Sequence, residues 1–299
     1  MSATDTTIEP EIKAPGGFAR TARTRLRRSD NVRTYVPLVL AILALGAYAS
    51  ANSELFLTSR NISVLLDSVA VLGLITVGMT LLLIAGQIDL SVGAMATLSS
   101  VLAAKLIAGG SSDVVAVLAM LAVAVVVAML IGVIVVKTNV EPFMLTLGLL
   151  SVLQSVALIQ TGQRPVPVGS RLQSVDTSQF LGIPLSFWLF VAALLIGSLL
   201  LHFTRLGRNA YAVGSNQDAA FLSGVAVGRV KVAVFAISGF LVGLAGLLLL
   251  SSLGAGDASA GAGLELDAIA AAVLGGASLL GGRGSMLGSF LGVMLLGVI

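Results

Sequence analysis

The sequence predicts an all-α, polytopic transmembrane helical bundle of about nine or ten spans, in which some helices are broken. Of its 299 residues, 57% are hydrophobic and 10% are charged, and the mean hydropathy is +1.05. Soluble domains carry about 25% charged residues, so this composition needs lipid as its solvent. The apolar runs have the length of membrane-crossing helices, roughly 17 to 25 residues. They lack the polar–apolar alternation that is typical of membrane β-strands.

Nine apolar stretches are candidate spans. They cover residues 36–51, 62–85, 92–108, 114–136, 143–160, 183–203, 232–253, 264–280 and 285–299. The last stretch is still apolar where the sequence stops, so we expect this span to be truncated. Small residues four positions apart, such as Gly239 and Gly243, favour close packing between helices in lipid.

The basic residues predict how the bundle is oriented. If residues 1–34 lie inside and each span crosses once, thirteen of the 17 Lys and Arg residues lie on the cytoplasmic side. The other four are Arg60, Lys105, Arg164 and Arg171. This excess favours a cytoplasmic N-terminus. Residues 1–34 are polar, rich in arginine and without an apolar period, so we expect a disordered basic tail before a transmembrane domain over residues 35–299.

Several function classes are excluded by what the sequence lacks. It has no cysteine and one histidine, so we expect no metal site built from thiolates or imidazoles. Lys137-Thr138 follows Val136 and not a glycine, so the phosphate loop of an ATPase is not present. The basic residues stand at the ends of apolar runs and form no stripe, which argues against nucleic-acid binding. We therefore expect a non-enzymatic membrane protein without a cofactor.

The first segment of interest separates two spans and runs from Gly86 to Gly93. Gly86 can end one helix in a left-handed turn, and Asp89 can cap the next helix by accepting N–H bonds from its first turn. In one interpretation this is only a tight cytoplasmic turn. In the other it is a break in a helix pair that lines a hydrophilic path, with Gly86, Gln87, Asp89 and Ser91 along that path.

The second segment lies in the longest polar loop, residues 204–231, whose basic residues place it inside. Within it, the sequence predicts a helix of about two turns with Asn216 as N-cap and Gly224 as stop. Such a helix could dock into a groove of another protein or lie on lipid headgroups. The residues of this candidate docking helix are Asn216, Asp218, Ala219, Ala220, Phe221, Leu222, Ser223 and Gly224.

Two further carboxylates lie within or beside apolar runs. Asp267 comes shortly after a glycine-rich stretch and is either a helix cap at the outer interface or part of a transport path. Asp67 lies near the start of its span, where we interpret it as an interfacial residue or as a partner for a neighbouring helix.

Together these segments resemble the permease subunits of bacterial ABC importers of the ribose, xylose, arabinose and autoinducer-2 type. The family's Gly-Gly-Ile-Asp-Leu-Ser-Val-Gly signature is similar to residues 86–93, with Gln87 in place of the second glycine. Its cytoplasmic Gly-Arg-x-x-Tyr-Ala-x-Gly-x-Asn stretch is similar to the part of 207–224 that leads into the docking helix. Its late Leu-Asp-Ala-Ile-Ala-Ala segment is similar to residues 266–276, and 281–285 also match.

The resemblance implies a multi-pass protein of the bacterial inner membrane that translocates a monosaccharide. It implies two ABC ATPase subunits as partners, an extracytoplasmic sugar-binding protein and a second permease copy, most simply in a homodimer. In such importers a cytoplasmic coupling helix fits into the ATPase, and residues 216–224 match its position. Gln217-Asp218 departs from the Pro-Glu that often follows the asparagine.

Three other functions remain open from the residues. An ion-coupled secondary transporter could use Asp89 or Asp267 as its proton or sodium site. A related ABC permease could carry a nucleoside or a branched-chain amino acid with the same machinery. A membrane scaffold without transport would leave the Asp89 break and the polar loop without a purpose.

Overall fold

The computed structural model describes residues 18–299, apart from the side chains of residues 18–34, Ser174 and Asp176. Its helices are α1 Phe18–Asn52, α2 Ser59–Ile84, α3 Val92–Ala108, α4 Asp113–Thr138, α5 Pro142–Thr161, α6 Gln173–Thr177, α7 Leu185–Phe203, α8 Arg205–Ser215, α9 Gln217–Leu222, α10 Val227–Leu253, α11 Leu264–Leu274 and α12 Met286–Val298. Of the predicted tail, residues 1–17 lie outside the described part, and α1 takes in residues 18–34.

Four two-residue strands lie in the connections between helices. They are β1 Val166–Pro167, β2 Gln179–Phe180, β3 Ile183–Pro184 and β4 Ala255–Gly256. The strands β1 and β4 pair antiparallel with Val166 opposite Gly256, and β2 pairs with β3 in a short hairpin. The predicted all-α bundle is therefore confirmed, with the strands serving only to fasten loops.

Six helices within residues 18–299 are long and apolar enough to cross a membrane. They are α1 from Tyr35 onwards, α2, α4, α5, α7 and α10. The helices α3 and α12 are apolar but shorter, at 17 and 13 residues. At about 1.5 Å per residue, α12 extends only about 20 Å, which is less than the hydrocarbon thickness of about 30 Å.

Two helices form the centre of the bundle. In α2 every residue from Val69 to Ile84 is buried, and α10 is buried over most of its second half. The other long helices leave large aliphatic side chains exposed along much of their length. Because lipid tails solvate such side chains, the outer helices need no further cover on those faces.

Contacts between loops and helix ends divide the bundle into two ends. We call the end formed by α8, α9 and residues 275–285 the α8 face. Tyr35 at the start of the apolar part of α1 hydrogen-bonds Ser285 over 2.6 Å, and the end of α2 meets the same loop through the 3.0 Å bond from Gly282 N–H to the Ile84 carbonyl. The first helix therefore runs away from the α8 face, and α2 runs back to it.

The other end, which we call the opposite face, is formed by residues 53–58, 109–112 and 162–184. Arg171 fastens it by pairing with Asp113 at 2.8 Å and by donating to the carbonyls of Ile107 and Ser111. Lys105 adds a 3.4 Å hydrogen bond to Gln160 near the end of α5. The four basic residues expected outside all lie towards this end of their helices or in its loops.

The prediction of one continuous span over residues 264–280 is wrong. The helix α11 ends at Leu274, after 11 residues. Gly276, Gly281 and Gly282 then take left-handed φ values of 91°, 89° and 72°, which are incompatible with an α-helix. The short helix α11 and the glycine-rich loop that follows it are both apolar, so hydropathy does not distinguish them.

Glycines on α12 set its distance from α11. A Cβ added at Gly292 would overlap the Ala271 carbonyl, whereas a Cβ at Gly46 on α1 would meet no atom within 4 Å. Such close backbone approach is how helices associate in lipid, where burial of apolar surface supplies little drive.

We predict that Gly292→Ala destabilises the protein and that the matched Gly46→Ala does not. Overpacking against backbone costs about 1–3 kcal/mol, which corresponds to a drop of several degrees in the midpoint of thermal unfolding. Unfolding of the purified variants in one detergent measures the difference. Equal midpoints for the two variants would contradict the close α11–α12 contact.

Candidate functional site

The polypeptide between α2 and α3 is interrupted inside the bundle, at residues 85–91. The helix α2 ends with Gly86 in a left-handed turn, at φ 71°, as the sequence predicts. Gln87, Asp89, Leu90 and Ser91 are all buried, although none of them is in a helix. The protein therefore encloses most of the interruption, although Gly86 is exposed.

Asp89 organises this interruption, though not as a helix cap. Its Oδ1 atom accepts the backbone N–H of Ser91 at 2.8 Å and the Ser91 hydroxyl at 2.6 Å. The helix begins one residue later, at Val92, and Ser91 as its N-cap makes no side-chain capping bond. The predicted cap is thus wrong: Asp89 closes a turn immediately before α3.

Of the remaining polar groups in the interruption, one has a hydrogen-bond partner and two have none among the described residues. The Leu90 N–H donates to the Thr146 hydroxyl of α5 at 3.0 Å, so a neighbouring helix replaces the missing helical bond. The side-chain oxygens Asp89 Oδ2 and Gln87 Oε1 are buried and have no hydrogen-bond partner. Because a buried carboxylate oxygen without a partner is costly, these two atoms mark a place where a donor is required.

A second interruption follows α10, at residues 254–263. The chain turns back from the opposite face, pairs through β4, and then runs along α3 and α5. Gln154 of α5 donates to the Ala258 carbonyl, and the Gly261 N–H donates to the Thr97 hydroxyl of α3 at 2.9 Å. The helix α11 therefore begins within the bundle and not at its surface.

Both interruptions contain the same Asp-x-Ser turn. In the second, Asp257 Oδ1 accepts the backbone N–H and the hydroxyl of Ser259, each at 2.7 Å. The two turns therefore share the same hydrogen-bond pattern at their aspartate side chains.

The two interruptions meet at Gly93 in the first turn of α3. A Cβ at Gly93 would overlap the Gly261 carbonyl and the Glu265 carboxylate, so only glycine fits this contact. With α3 extending about 25 Å from Val92 to its end at the opposite face, this meeting point lies deep in the bundle. Asp89 and the start of α11 are thus neighbours across Gly93.

Asp267 lies in the first turn of α11, on its exposed side. Leu266, Ala270, Val273 and Leu274 share that exposed side. Gly263 is the N-cap of α11 and no side chain caps this helix, so Asp267 lies in the first turn without capping it. The structure does not bring Asp267 into the buried Asp89 turn, and its part in a transport path stays a prediction.

The predicted docking helix is present on the α8 face as α9. The Asn216 side chain accepts the Ala219 N–H at 2.9 Å as an N-cap, and Gly224 stops the helix with φ 81°. Phe221 is 70% exposed and Leu222 is 84% exposed, while Ala220 is buried. Asp218, Ala219 and Ser223 are also exposed. The helix therefore presents two large apolar side chains outward.

The helix α8 connects α9 to the end of α2 and to the glycine-rich loop. Backbone contacts at Gly214 are so close that a Cβ there would overlap the Ile84 carbonyl. The loop rests on the same point through Gly281, and the Tyr211 hydroxyl donates to the Gly284 carbonyl at 2.8 Å. These contacts join α8 directly to the last turn of α2, three residues before Gln87.

A cavity of about 400 Å³ lies near the opposite face, between α2, α7 and α10. Its lining residues are Val64, Asp67, Ser68, Val71, Ser186, Leu248, Leu249, Ser251, Ser252, Ala260 and Leu264. Asp67 accepts a short hydrogen bond from the Ser186 hydroxyl of α7. The interpretation of Asp67 as a partner for a neighbouring helix is confirmed, but the cavity itself was not predicted. The sequence feature that could have indicated the cavity is the carboxylate of Asp67 inside an apolar span.

No group of three or more His, Asp or Glu side chains among the described residues could hold a metal ion. The polar features of the bundle are instead the two Asp-x-Ser turns, the cavity and the exposed side of α11.

Comparison with known proteins gives one family and several close relatives. Residues 61–299 match the model of the family described as "branched-chain amino acid transport system / permease component". A ribose import permease of Bacillus subtilis is 40% identical over 273 residues, which cover 90% of this chain and 85% of the relative. The corresponding protein of Escherichia coli K12 is 37% identical over 87% of this chain and 83% of its own length. An L-arabinose ABC transporter permease of Azospirillum brasilense is 35% identical over 98% of this chain and 87% of its own length. No solved structure matches the chain with significance.

We predict that Thr146→Val destabilises the protein more than Thr76→Val. Both hydroxyls are buried, but Thr146 accepts the Leu90 N–H of the interruption, whereas Thr76 only donates to the Leu72 carbonyl of its own helix. An unsatisfied buried N–H costs about 1–3 kcal/mol. Thermal unfolding of the two variants tests this, and a larger loss for Thr76→Val would show that Thr146 does not hold the interruption.

Proposed function

The chain belongs to the family of branched-chain amino acid transport system permease components, and on this premise we propose that it is the membrane-spanning permease subunit of an ABC importer. The cargo that we propose is a monosaccharide, because the relatives at 35–40% identity are named for ribose and L-arabinose import. The observation that carries the proposal is the α8 face, where an exposed apolar helix is joined by backbone contacts to an interrupted transmembrane helix.

We assign the α8 face to the cytoplasm. Lys137, Arg205, Arg208, Arg229, Lys231 and Arg283 all lie at that end of their helices or in its loops. Only four basic residues lie towards the opposite face, so the positive-inside rule favours this orientation. It follows that the N-terminal residues 1–34 are cytoplasmic and that residues 35–299 form the permease domain, with residues 204–231 as its coupling loop.

The coupling helix is α9 with its caps, residues 216–224. Phe221 and Leu222 stand out into water on this side, and large exposed apolar side chains on a rigid helix are typical of protein-binding sites. A groove on an ATPase subunit is the occupant that fits an ABC permease. The permease has no phosphate loop of its own, so ATP would be hydrolysed entirely by these partners.

Transmission from the ATPase to the path would follow the backbone contacts at Gly214. When two ATPase subunits close on ATP, they would push the coupling helices and with them the end of α2. The interruption at 85–91 follows that end directly. Since Gln87, Asp89 and Ser91 are fully enclosed, we interpret the structure as a state in which the path is shut at this level.

A second copy of the chain would complete the path. The exposed side of α11 carries Asp267, and the exposed side of α5 carries Gly148, Ser151 and Ser155. A carboxylate and two hydroxyls on membrane-embedded surfaces are costly against lipid, but not against a water-filled path between two subunits. A homodimer places these groups from both copies around a common axis and gives the extracytoplasmic binding protein two equivalent lobes to engage.

The alternatives differ in what they require. A branched-chain amino acid, which the family's description mentions, needs a site for a charged ammonium and carboxylate pair. An ion-coupled transporter needs no ATPase and would lose uptake when the ion gradient collapses. ATP-dependent uptake of labelled monosaccharides and of leucine, with and without an ionophore, distinguishes these three functions.

We predict that Phe221→Ala weakens assembly with the ATPase, whereas Phe240→Ala does not. Both phenylalanines are exposed, but Phe240 lies in the middle of α10, about 20 Å along the helix from its start at the α8 face. Loss of a central aromatic anchor costs about 2 kcal/mol or more, a weakening of roughly thirtyfold or more. Both variants should insert normally. Co-purification with the ATPase and ATP-driven uptake measure the effect, and full uptake by Phe221→Ala would refute the coupling role of α9.

A further inference from the structure

The glycine-rich loop between α11 and α12, residues 275–285, presents two leucines at the α8 face. Leu280 is 92% exposed and Leu279 is 50% exposed, and both lie in a turn outside the helices. On the same face α9 presents Phe221 and Leu222. Single exposed apolar side chains are common, but four large ones at one end of the bundle indicate contact with another molecule.

Hydrogen bonds within the loop fix the position of the two leucines. The Ser278 N–H donates to the Arg283 carbonyl at 3.0 Å and closes the turn at its base. The Gly281 N–H donates to the Ser278 carbonyl at 3.1 Å, and the Leu280 N–H donates to the Ser278 hydroxyl at 3.2 Å. Because the backbone of the turn is already ordered, a partner that binds the leucines pays little entropy for ordering it.

A contact with α2 places the turn under the centre of the bundle. The Gly282 N–H donates to the carbonyl of Ile84, the last residue of α2, at 3.0 Å. Since every residue of α2 from Val69 to Ile84 is buried, this helix end does not lie at the rim of the bundle, where lipid is within reach. A turn fastened to that end is poorly placed to insert leucines into lipid. It is well placed to meet a protein that covers the α8 face.

The turn also touches the residues that lead into α9. A Cβ at Gly281 would overlap the Gly214 carbonyl, and a Cβ at Gly282 would overlap Ser215. Ser215 is followed directly by Asn216, the N-cap of α9. The turn and α9 are therefore neighbouring parts of one surface, and a protein that holds one of them is within reach of the other.

We propose that residues 278–283 form a second docking element for the ATPase subunit, with Leu280 as its apolar anchor. The inference rests on the proposed import function and adds a contact surface to it. The matching site on the partner is an apolar pocket for Leu280. A carboxylate on the rim of that pocket complements Arg283, which is exposed at the base of the same turn.

The second docking element reaches α2 by a different route from that of α9. The helix α9 is connected to α2 through α8, at Gly214, whereas the turn bonds the Ile84 carbonyl itself through Gly282. In this arrangement the ATPase subunit bears on the end of α2 through two contacts, directly before the interruption at 85–91.

Binding of the ATPase subunit by the full-length permease in lipid nanodiscs measures the contribution of the turn. Leu280→Ala removes most of an exposed side chain and keeps the backbone bonds of the turn, so the variant should fold normally. We expect the dissociation constant to rise about tenfold, as for truncation of an apolar anchor at an interface. The matched control is Leu57→Ala, at a leucine of 67% exposure on the opposite face, which should leave the constant unchanged.

A crosslink identifies what covers the turn. Since the chain has no cysteine, Leu280→Cys can carry a single maleimide-linked benzophenone, attached before the ATPase subunit is added. On illumination of the assembled nanodiscs we expect mainly an adduct of permease and ATPase, and none from Leu57→Cys treated in the same way. A main adduct between two permease copies, or one with lipid, would overturn the proposal.

The outcomes separate the second docking element from the proposed function. If Phe221→Ala weakens ATPase binding and Leu280→Ala does not, the turn is not a docking element, although the coupling role of α9 stands. If the unsubstituted chain binds no ATPase subunit and shows no ATP-dependent uptake, the proposed function is refuted and the docking element with it.

Discussion

The hydrocarbon layer offers no hydrogen-bond partners, so each place where the chain leaves the helical conformation has to be satisfied by the protein itself. Two such places define this bundle, at residues 85–91 and 254–263. In both, the aspartate of an Asp-x-Ser turn is a local acceptor. A threonine hydroxyl of a neighbouring helix accepts one further N–H, that of Leu90 at Thr146 and that of Gly261 at Thr97. The helices around the interruptions are therefore not interchangeable lipid spans, because they carry the groups that make the breaks possible.

A second constraint follows from the first. Broken helices are short, so their positions depend on close backbone contacts more than on side-chain packing. Gly93, Gly214 and Gly292 each stand where a Cβ would overlap a carbonyl of another segment. Gly93 joins α3 to the second interruption, Gly292 joins α12 to α11, and Gly214 joins α8 to the end of α2. We propose that the contact at Gly214 lets a partner bound at the α8 face act on the interruption that follows α2.

Much of this could be predicted from the sequence, for identifiable reasons. Long apolar runs fixed the class of protein, and local capping chemistry located α9 correctly, because Asn216 and Gly224 act through their immediate neighbours. The predictions were wrong where contacts between distant segments determine the local structure. The burial of Asp89 depends on α5 and α3, and hydropathy alone did not separate α11 from the glycine loop. The cavity joins residues from three helices that are distant in the sequence, such as Asp67, Ser186 and Leu248, so no local pattern could reveal it.

We propose that the α8 face is cytoplasmic and that a partner bound there changes the conformation of the interruptions. The most direct measurement is the labelling of two single-cysteine variants, Ser223→Cys on that face and Ser53→Cys on the opposite face, by an impermeant maleimide in intact cells. Both positions are exposed, and the chain is expressed without its ATPase partners so that only the side of the membrane decides reactivity. We expect Ser53→Cys to react at once and Ser223→Cys only after permeabilisation. Immediate labelling of Ser223→Cys would contradict the account.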